Sequence, residues 1–386
     1  MIAKQTYPLL HQKYMEPRMC GRYINYEIIS PLIEQHSGMF LKQEVGTSEG
    51  GIPIDMLTIG SGEFKILAWS QMHGNESTTT KAFFDFLNFL ADSDNKDAQG
   101  ILKNCTIYFI PMLNPDGSNA YTRVNGNQVD LNRDAKNLSQ KESISFRKTV
   151  ERIQPDFAFN LHGQRTIFSA GDTNVPASIS FLSPAADKER SLTPSRKVAM
   201  QLIVEMNKVL QEFIPNGVGR YDDGFNDNCT GDTLAIMNVP TILFEAGHYP
   251  KDYKREYTRK LIFYALLIGI TTISNQSYKT IDEQRYFSIP ENGKNFNDIL
   301  IRQVYLKEKL VDIAIQYEEQ LYGKQLQFIP KIVKIGNLEN LFGHREIHGN
   351  QRVIRHENDT VQVVEGVKML NFFLNDELFS TEPTKI

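Results

Sequence analysis

The chain has 386 residues, 41% of them hydrophobic, a formal net charge of −4 and a pI of about 6.1. That length provides for two domains, one large with a sizeable core and one smaller. The slightly acidic balance gives no positive field to recruit nucleic acid or an anionic membrane, and favours a small-molecule or peptide substrate. Cys20, Cys105 and Cys229 are odd in number, far apart and without Cys-x-x-Cys spacing, which points to a reducing compartment. Lys4, His11, Lys13, Glu16 and Arg18 interrupt the apolar residues of the N-terminus, so no signal-peptide core is visible. A cytoplasmic location is expected unless a leader has been removed. The longest apolar run, Leu261 to Ile273, is too short to span a bilayer and reads as a buried helix.

In chain order, Tyr26 to Gln35 is predicted helical. Leu41 to Val45 and Ile54 to Ile59 then form a hairpin punctuated by Gly46, Gly50, Gly51 and Pro53. Lys65 to Ser70 reads as a buried strand that delivers His73 and Glu76 just past its C-terminal end, where open α/β sheets place their sites. Ser77 or Thr78 is expected to cap the next helix, whose Ala82, Phe83, Phe86, Leu87 and Leu90 recur at helical spacing as core residues. Thr106 to Pro111 is the next strand, and Asn114-Pro115-Asp116-Gly117 has the composition of a tight turn. Ser143 to Ile153 reads as a helix, Asp156 to Leu161 as a strand ending on His162, and Ser195 to Phe213 as a long helix. After a Gly-, Asp- and Asn-rich stretch, the strand Thr241 to Phe244 ends on Glu245, and a helix is expected over Tyr253 to Ser274. From about Tyr278 the texture changes. Val311 to Gln316, Ile329 to Ile335 and Val361 to Val367 read as short strands, so residues 1–277 are assigned to an α/β catalytic domain and 278–386 to a small β-rich one.

Three predicted strands thus end on residues that suit one zinc hydrolase site. A catalytic zinc needs three protein ligands and an open position, and His73, Glu76 and His162 supply the three. Asp130 can accept the second ring N–H of a zinc-bound histidine, here assigned to His73. Glu245 is not needed to complete the metal's shell and is the candidate general base. Asn132 with Arg133 offers a fork of donors for a terminal carboxylate. Arg123 can polarise a scissile carbonyl, and Arg165 is a further cationic candidate close after His162.

At these residues the sequence resembles the zinc metallocarboxypeptidase (funnelin-like) family. The resemblance rests on His73-x-x-Glu76, Asn114-Pro115-Asp116-Gly117, Asp130-Leu131-Asn132-Arg133, His162 and Phe244-Glu245, all in the family's order, and it covers about residues 50 to 275. It implies a mixed, eight-stranded central sheet flanked by helices, one zinc ion and removal of a C-terminal residue from a peptide. The implied roles are zinc binding for His73, Glu76 and His162, carbonyl polarisation for Arg123, carboxylate binding for Asn132 and Arg133, and the base for Glu245. Tyr221 occupies a place comparable to the family's aromatic lid. Asp232 or Thr233 would line the side-chain pocket or simply cap a turn. The short interval between Glu76 and His162 implies trimmed loops.

The same His73-Gly74-Asn75-Glu76 and Asp130-Leu131-Asn132-Arg133 motifs also resemble the aspartoacylase and succinylglutamate desuccinylase branch, which cleaves N-acyl amino acids. Asn114-Pro115-Asp116-Gly117 favours the peptidase side. Either substrate carries a free carboxylate. A third reading is a zinc-binding pseudoenzyme whose C-terminal domain carries the function, against which Glu245 and the full ligand set argue. His344, His348 and His356 are read as solvated loop histidines.

Overall fold

The computed structural model describes residues 6–36 and 38–383. The N-terminal part carries strands β1 (Leu41–Thr47), β2 (Pro53–Ile59), β3 (Phe64–Ser70), β4 (Cys105–Ile110), β5 (Phe157–Gly163), β6 (Ser169–Ala170), β7 (Ile179–Leu182), β8 (Val218–Arg220) and β9 (Thr241–Ala246). Between them run helices α1 (Thr6–Tyr14), α2 (Tyr26–Gln35), α3 (Thr78–Leu90), α4 (Lys96–Asn104), α5 (Pro115–Ala120), α6 (Lys141–Ile153), α7 (Pro194–Leu210), α8 (Thr230–Ile236) and α9 (Glu256–Ser274).

Eight of these strands form one mixed sheet in the order β1-β2-β4-β3-β5-β9-β7-β8. Its centre, β4-β3-β5-β9, is all parallel. Parallel strands are buried on both faces, which explains why β3, β5 and β9 read as nearly unbroken apolar runs. On one face α3, α7 and α9 press Phe83, Phe86, Met200, Met206 and Leu266 against Phe109, Phe159 and Phe244. On the other, a smaller cluster of Met56, Trp69, Leu131, Phe146, Val150 and Leu234 lies under α6 and α8. Every residue from Leu261 to Ile270 is buried, so this apolar run is a core helix, as expected. Among the described residues no helix is long and apolar enough to cross a membrane.

The remainder builds additional small β sheets. After β10 (Asn292–Gly293), which pairs with β6, come β11 (Phe296–Leu306), β12 (Lys309–Tyr322), β13 (Gln325–Gly336) and β14 (Phe342–His348). These four pair in the order β13-β12-β11-β14, and a three-stranded sheet of β15 (Ile354–His356), β16 (Asn371–Leu374) and β17 (Glu377–Ser380) accompanies them. Ile299, Ile301, Ile313, Ile315, Met369 and Phe372 fill the core they share.

Four expectations need correction. Asn114-Pro115-Asp116-Gly117 is not a free turn: the Asn114 side chain accepts from Gly117 N at 2.8 Å and starts α5, with Pro115 at its first position. Ser77 stands at the N-cap of α3 but makes no capping bond, because its hydroxyl donates to Arg22 O at 2.5 Å. Residues 361–367 form no strand: this stretch lies against β13 through single bonds, Gly366 N to Ile332 O and Ile332 N to Val367 O, with Gly366 at φ 87°. Of the C-terminal histidines only His348 is exposed. His344 lies in β14 and its Nε2 meets Thr166 O at 2.7 Å, and His356 is buried in β15 against Lys368 O.

Candidate active site

The site is built where β3, β5 and β9 end side by side. In the parallel pairing of β5 with β9, His162 is the register partner of Glu245. One strand over, β3 turns sharply at Gln71, a buried non-glycine residue at φ 43°. The strain of that left-handed backbone is outweighed by its surroundings. The Gln71 amide donates to Ile24 O and Gly74 O at 2.9 Å and to Ser118 Oγ at 3.0 Å, and accepts from Thr80 Oγ1. Gly74 packs against the backbone of Gly117, and a Cβ on it would stand 1.9 Å from Gly117 C. With Asn114 Nδ2 donating to Met72 O at 3.1 Å, the first two motifs form one rigid unit.

That unit aims three ligand-type groups at one point. His73 Nδ1 lies 3.0 Å from His162 Nδ1 and 2.9 Å from Glu76 Oε1, while His162 Nδ1 lies 2.9 Å from Glu76 Oε2. Two ring nitrogens facing each other share no proton economically without a cation between them or a carboxylate beside them. Tetrahedral zinc with ligands at about 2.0–2.1 Å sets its ligand atoms about 3.3 Å apart, so a small relaxation of this trio admits the ion. His73, Glu76 and His162 are accordingly a group able to hold a metal. Glu76 also accepts from Gly163 N at 3.0 Å. Burial pushes its carboxyl up, but the two histidines outweigh burial and hold it well below the usual range.

Behind the trio, Asp130 Oδ1 lies 3.1 Å from His73 Nε2 and also accepts from Asn132 N at 2.9 Å, capping a short 3-10 turn, Leu131–Arg133. Its other oxygen accepts from Arg123 Nε at 3.0 Å. Arg123 is thereby directed at the metal position, with Nη1 3.2 Å from His73 Nδ1 and 3.5 Å from Glu76 Oε1.

Glu245 is 8% exposed, and its Oε2 is buried without a hydrogen-bond partner. Burial first, then the nearby charge of Glu76, raises its pKa well above the carboxylate range, with Arg123 and Arg255 opposing. Tyr221, just after β8, is half-buried with its ring 5.3 Å from that of Phe168. Burial and the charges of Glu245 and Glu76 push its hydroxyl pKa up, while Arg123 and Arg165 pull it down, so Tyr221 and Arg165 both stand in the field of the site.

Asn132 turns its Oδ1 toward the start of α8, where it accepts from Thr230 N at 3.0 Å, leaving the amide hydrogens as donors. The exposed Arg133 guanidinium touches only neutral groups, Asn132 O at 2.7 Å and Cys229 Sγ at 3.4 Å. The Thr233 hydroxyl donates to Cys229 O at 2.9 Å, within the first turn of α8. Asp232 accepts from Asn226 N at 2.7 Å, and burial raises its carboxyl to about 6.

One residue of the assembly has no motif to announce it. Arg255, buried and itself left-handed at φ 59°, donates to Ala246 O at 2.6 Å and to Gln164 O at 3.0 Å. It staples the strand ends that carry Glu245 and His162. Only its place three residues after Asp252, which accepts from the first amides of α9, marks it in the sequence.

Residues 26–148 match the zinc carboxypeptidase family. Carboxypeptidase SOL1 of Arabidopsis thaliana is 31% identical over an alignment of 139 positions, gaps included, that covers 31% of this chain and 28% of that protein. Among solved structures, a metallo-carboxypeptidase from Burkholderia cenocepacia superimposes with a TM-score of 0.54 at 16% identity, covering 66% of this chain and 70% of the other. Carboxypeptidase A from Helicoverpa armigera gives 0.52 at 15%, covering 71% and 80%. At such identities these two establish a shared fold, and the resemblance read from the motifs is borne out.

Proposed function

We propose that this chain, zinc carboxypeptidase-like by family match and by fold, is a zinc-dependent hydrolase that removes the C-terminal residue of a peptide. The observation that carries the reading is Glu245: a buried carboxylate oxygen with no partner among the described residues, in register with His162 and beside a cluster fit for a metal. A group left unsatisfied in the interior is costly, and it is retained where a substrate or water completes it.

A zinc ion held by His73, Glu76 and His162 would supply Lewis acidity toward the attacking water and the scissile carbonyl. The chain's own groups do the rest. Asn132 Nδ2 and the Arg133 guanidinium, which makes no ion pair among the described residues, bind the terminal carboxylate and so fix which peptide bond reaches the centre. Arg123 donates to the carbonyl oxygen as negative charge develops there. Glu245 takes the proton of the water whose oxygen bonds to the carbonyl carbon. As the C–N bond breaks, it returns that proton to the leaving amine. Tyr221 covers the cleft beside Phe168 and keeps bulk water out.

The test is a rate assay of the zinc-loaded protein on blocked dipeptides with free C-termini, the corresponding C-terminal amides and short N-acyl amino acids. Selective cleavage of the free-carboxylate peptides is expected. Cleavage confined to N-acyl amino acids would move the chain to deacylation, and silence on all three with zinc bound would favour a pseudoenzyme.

A further inference from the structure

Glu319 carries the C-terminal sheets toward the site. Glu319, on β12, is mostly buried and ion-paired with Arg22, and it accepts from the Tyr121 hydroxyl at 2.7 Å. Each of these partners lies one short step from the candidate centre. Tyr121 closes α5 in a left-handed conformation at φ 57° and is 7% exposed. Two residues later Arg123 meets Asp130 and His73. The Arg22 carbonyl accepts from Ser77 Oγ, the hydroxyl that forgoes capping α3, and Ser77 directly follows Glu76.

The charges explain why an acid belongs there. Arg22 and Arg255 approach each other in a mostly buried region, and Arg255 is drawn down to about 10 by burial and then by Arg22, with Glu319 the strongest opposing charge. Two desolvated cations need an anion. Asp252 is already engaged by three amides of α9, so the countercharge comes from β12.

We propose that Glu319 is a positioning residue of the site: through Tyr121 it holds the Arg123 loop, and through Arg22 and Ser77 it holds the Glu76 loop. The metal centre and its carbonyl-polarising arginine therefore depend on a residue of the C-terminal sheets. The turnover arm of the test rests on the carboxypeptidase reading, whereas the metal arm does not.

The experiment compares Glu319→Ala, Tyr121→Phe and Lys324→Ala in the full chain. Lys324, on the turn between β12 and β13, also makes an ion pair with the N-terminal region, to Glu27 at 2.8 Å, but lies exposed at the surface. Zinc loss to excess EDTA, kcat, KM and the thermal midpoint are measured together. Glu319→Ala should speed zinc loss by about 10- to 100-fold, in line with other groups that orient metal ligands. It should also lower kcat by about tenfold or more with KM within about twofold, because Arg123 acts as charge develops. Tyr121→Phe, which removes a single hydroxyl, should move both in the same direction even if Glu319→Ala does not fold, and Lys324→Ala should move neither. A lowered thermal midpoint with wild-type zinc loss and wild-type kcat would reduce Glu319 to a brace and overturn the proposal. If the wild-type chain cleaves no peptide, the carboxypeptidase reading falls, and the zinc-loss comparison alone decides the role of Glu319.

Discussion

Glu245 and His162 are register partners on adjacent parallel strands, one with a partnerless buried oxygen and the other with Nδ1 turned to His73 and Glu76. A sheet fixes such a pair more firmly than loops do, since moving either by one residue would flip its side chain to the opposite face. Glu245→Gln keeps shape and volume but cannot take a proton. It should lower kcat by about 10²–10⁴-fold while metal analysis still finds zinc at wild-type stoichiometry. Unchanged turnover would remove Glu245 from the proton path.

His162→Ala should abolish tight zinc binding, because two ligands remain where three are needed. Asp130→Asn is the subtler test. It leaves the cap of the Leu131–Arg133 turn formable but weakens the acceptor that fixes the His73 tautomer, so zinc affinity by chelator competition should fall by about 10- to 100-fold. Stoichiometric tight zinc in His162→Ala would take His162 out of the metal site.

The central strands and the residues at their ends were legible because both obey local rules, whereas the short strands β7 and β8 were not read from the sequence. Buried parallel strands are apolar runs; His162 and Glu245 lie at the C-terminal ends of β5 and β9, and His73 and Glu76 come in the turn after β3. What escaped was decided at long range. Asn114 reads as a turn residue, and only the approach of Gly74 to Gly117 shows why the chain enters a helix there. Val361, Val363, Val364 and Val367 have strand composition, yet Gly366 and the lone bonds to Ile332 leave them lying along β13 without extending its sheet. Arg255 and Glu319 lie 64 positions apart and act through carbonyls, a phenol and each other's charge, so neither leaves a local signature.

Arg133 and Asn132, proposed to bind the terminal carboxylate, should differ in how they fail. Arg133→Ala removes a charge that makes no ion pair among the described residues, so it should raise KM strongly and reduce kcat/KM by about 100-fold, with little change in stability since the side chain is exposed. Asn132→Ala also removes the acceptor for Thr230 N at the start of α8, so it should lower the thermal midpoint as well as kcat/KM. Wild-type kcat/KM for Arg133→Ala on free-carboxylate peptides, with their preference over the amidated peptides intact, would deny Arg133 the carboxylate.

The junction between the sheets holds two titrating groups whose effects oppose. His344, whose ring lies 4.3 Å from that of His248, is pulled down to about 4 chiefly by burial, so the folded chain refuses a proton that the unfolded chain takes up below its ordinary value of 6.5. Its contribution to stability is present above 6.5 and is lost as pH falls toward 4. Asp298, fully buried and accepting from Tyr253 Oη at 3.0 Å and Tyr317 N at 2.7 Å, is pushed up to about 6 by burial from an ordinary 3.8. The folded chain binds that proton more tightly, so this contribution is present below 3.8 and is lost as pH rises through 6. Between about pH 4 and 6 the two slopes offset, each being at most about 1.4 kcal/mol per pH unit. Asp298→Asn mimics the protonated acid at every pH and removes only the second slope. Its thermal midpoint should therefore fall more steeply than that of the wild type between pH 6.5 and 4.5, at fixed ionic strength. Parallel pH dependences in the two proteins would show that Asp298 titrates at its ordinary value and does not buffer the junction against acid.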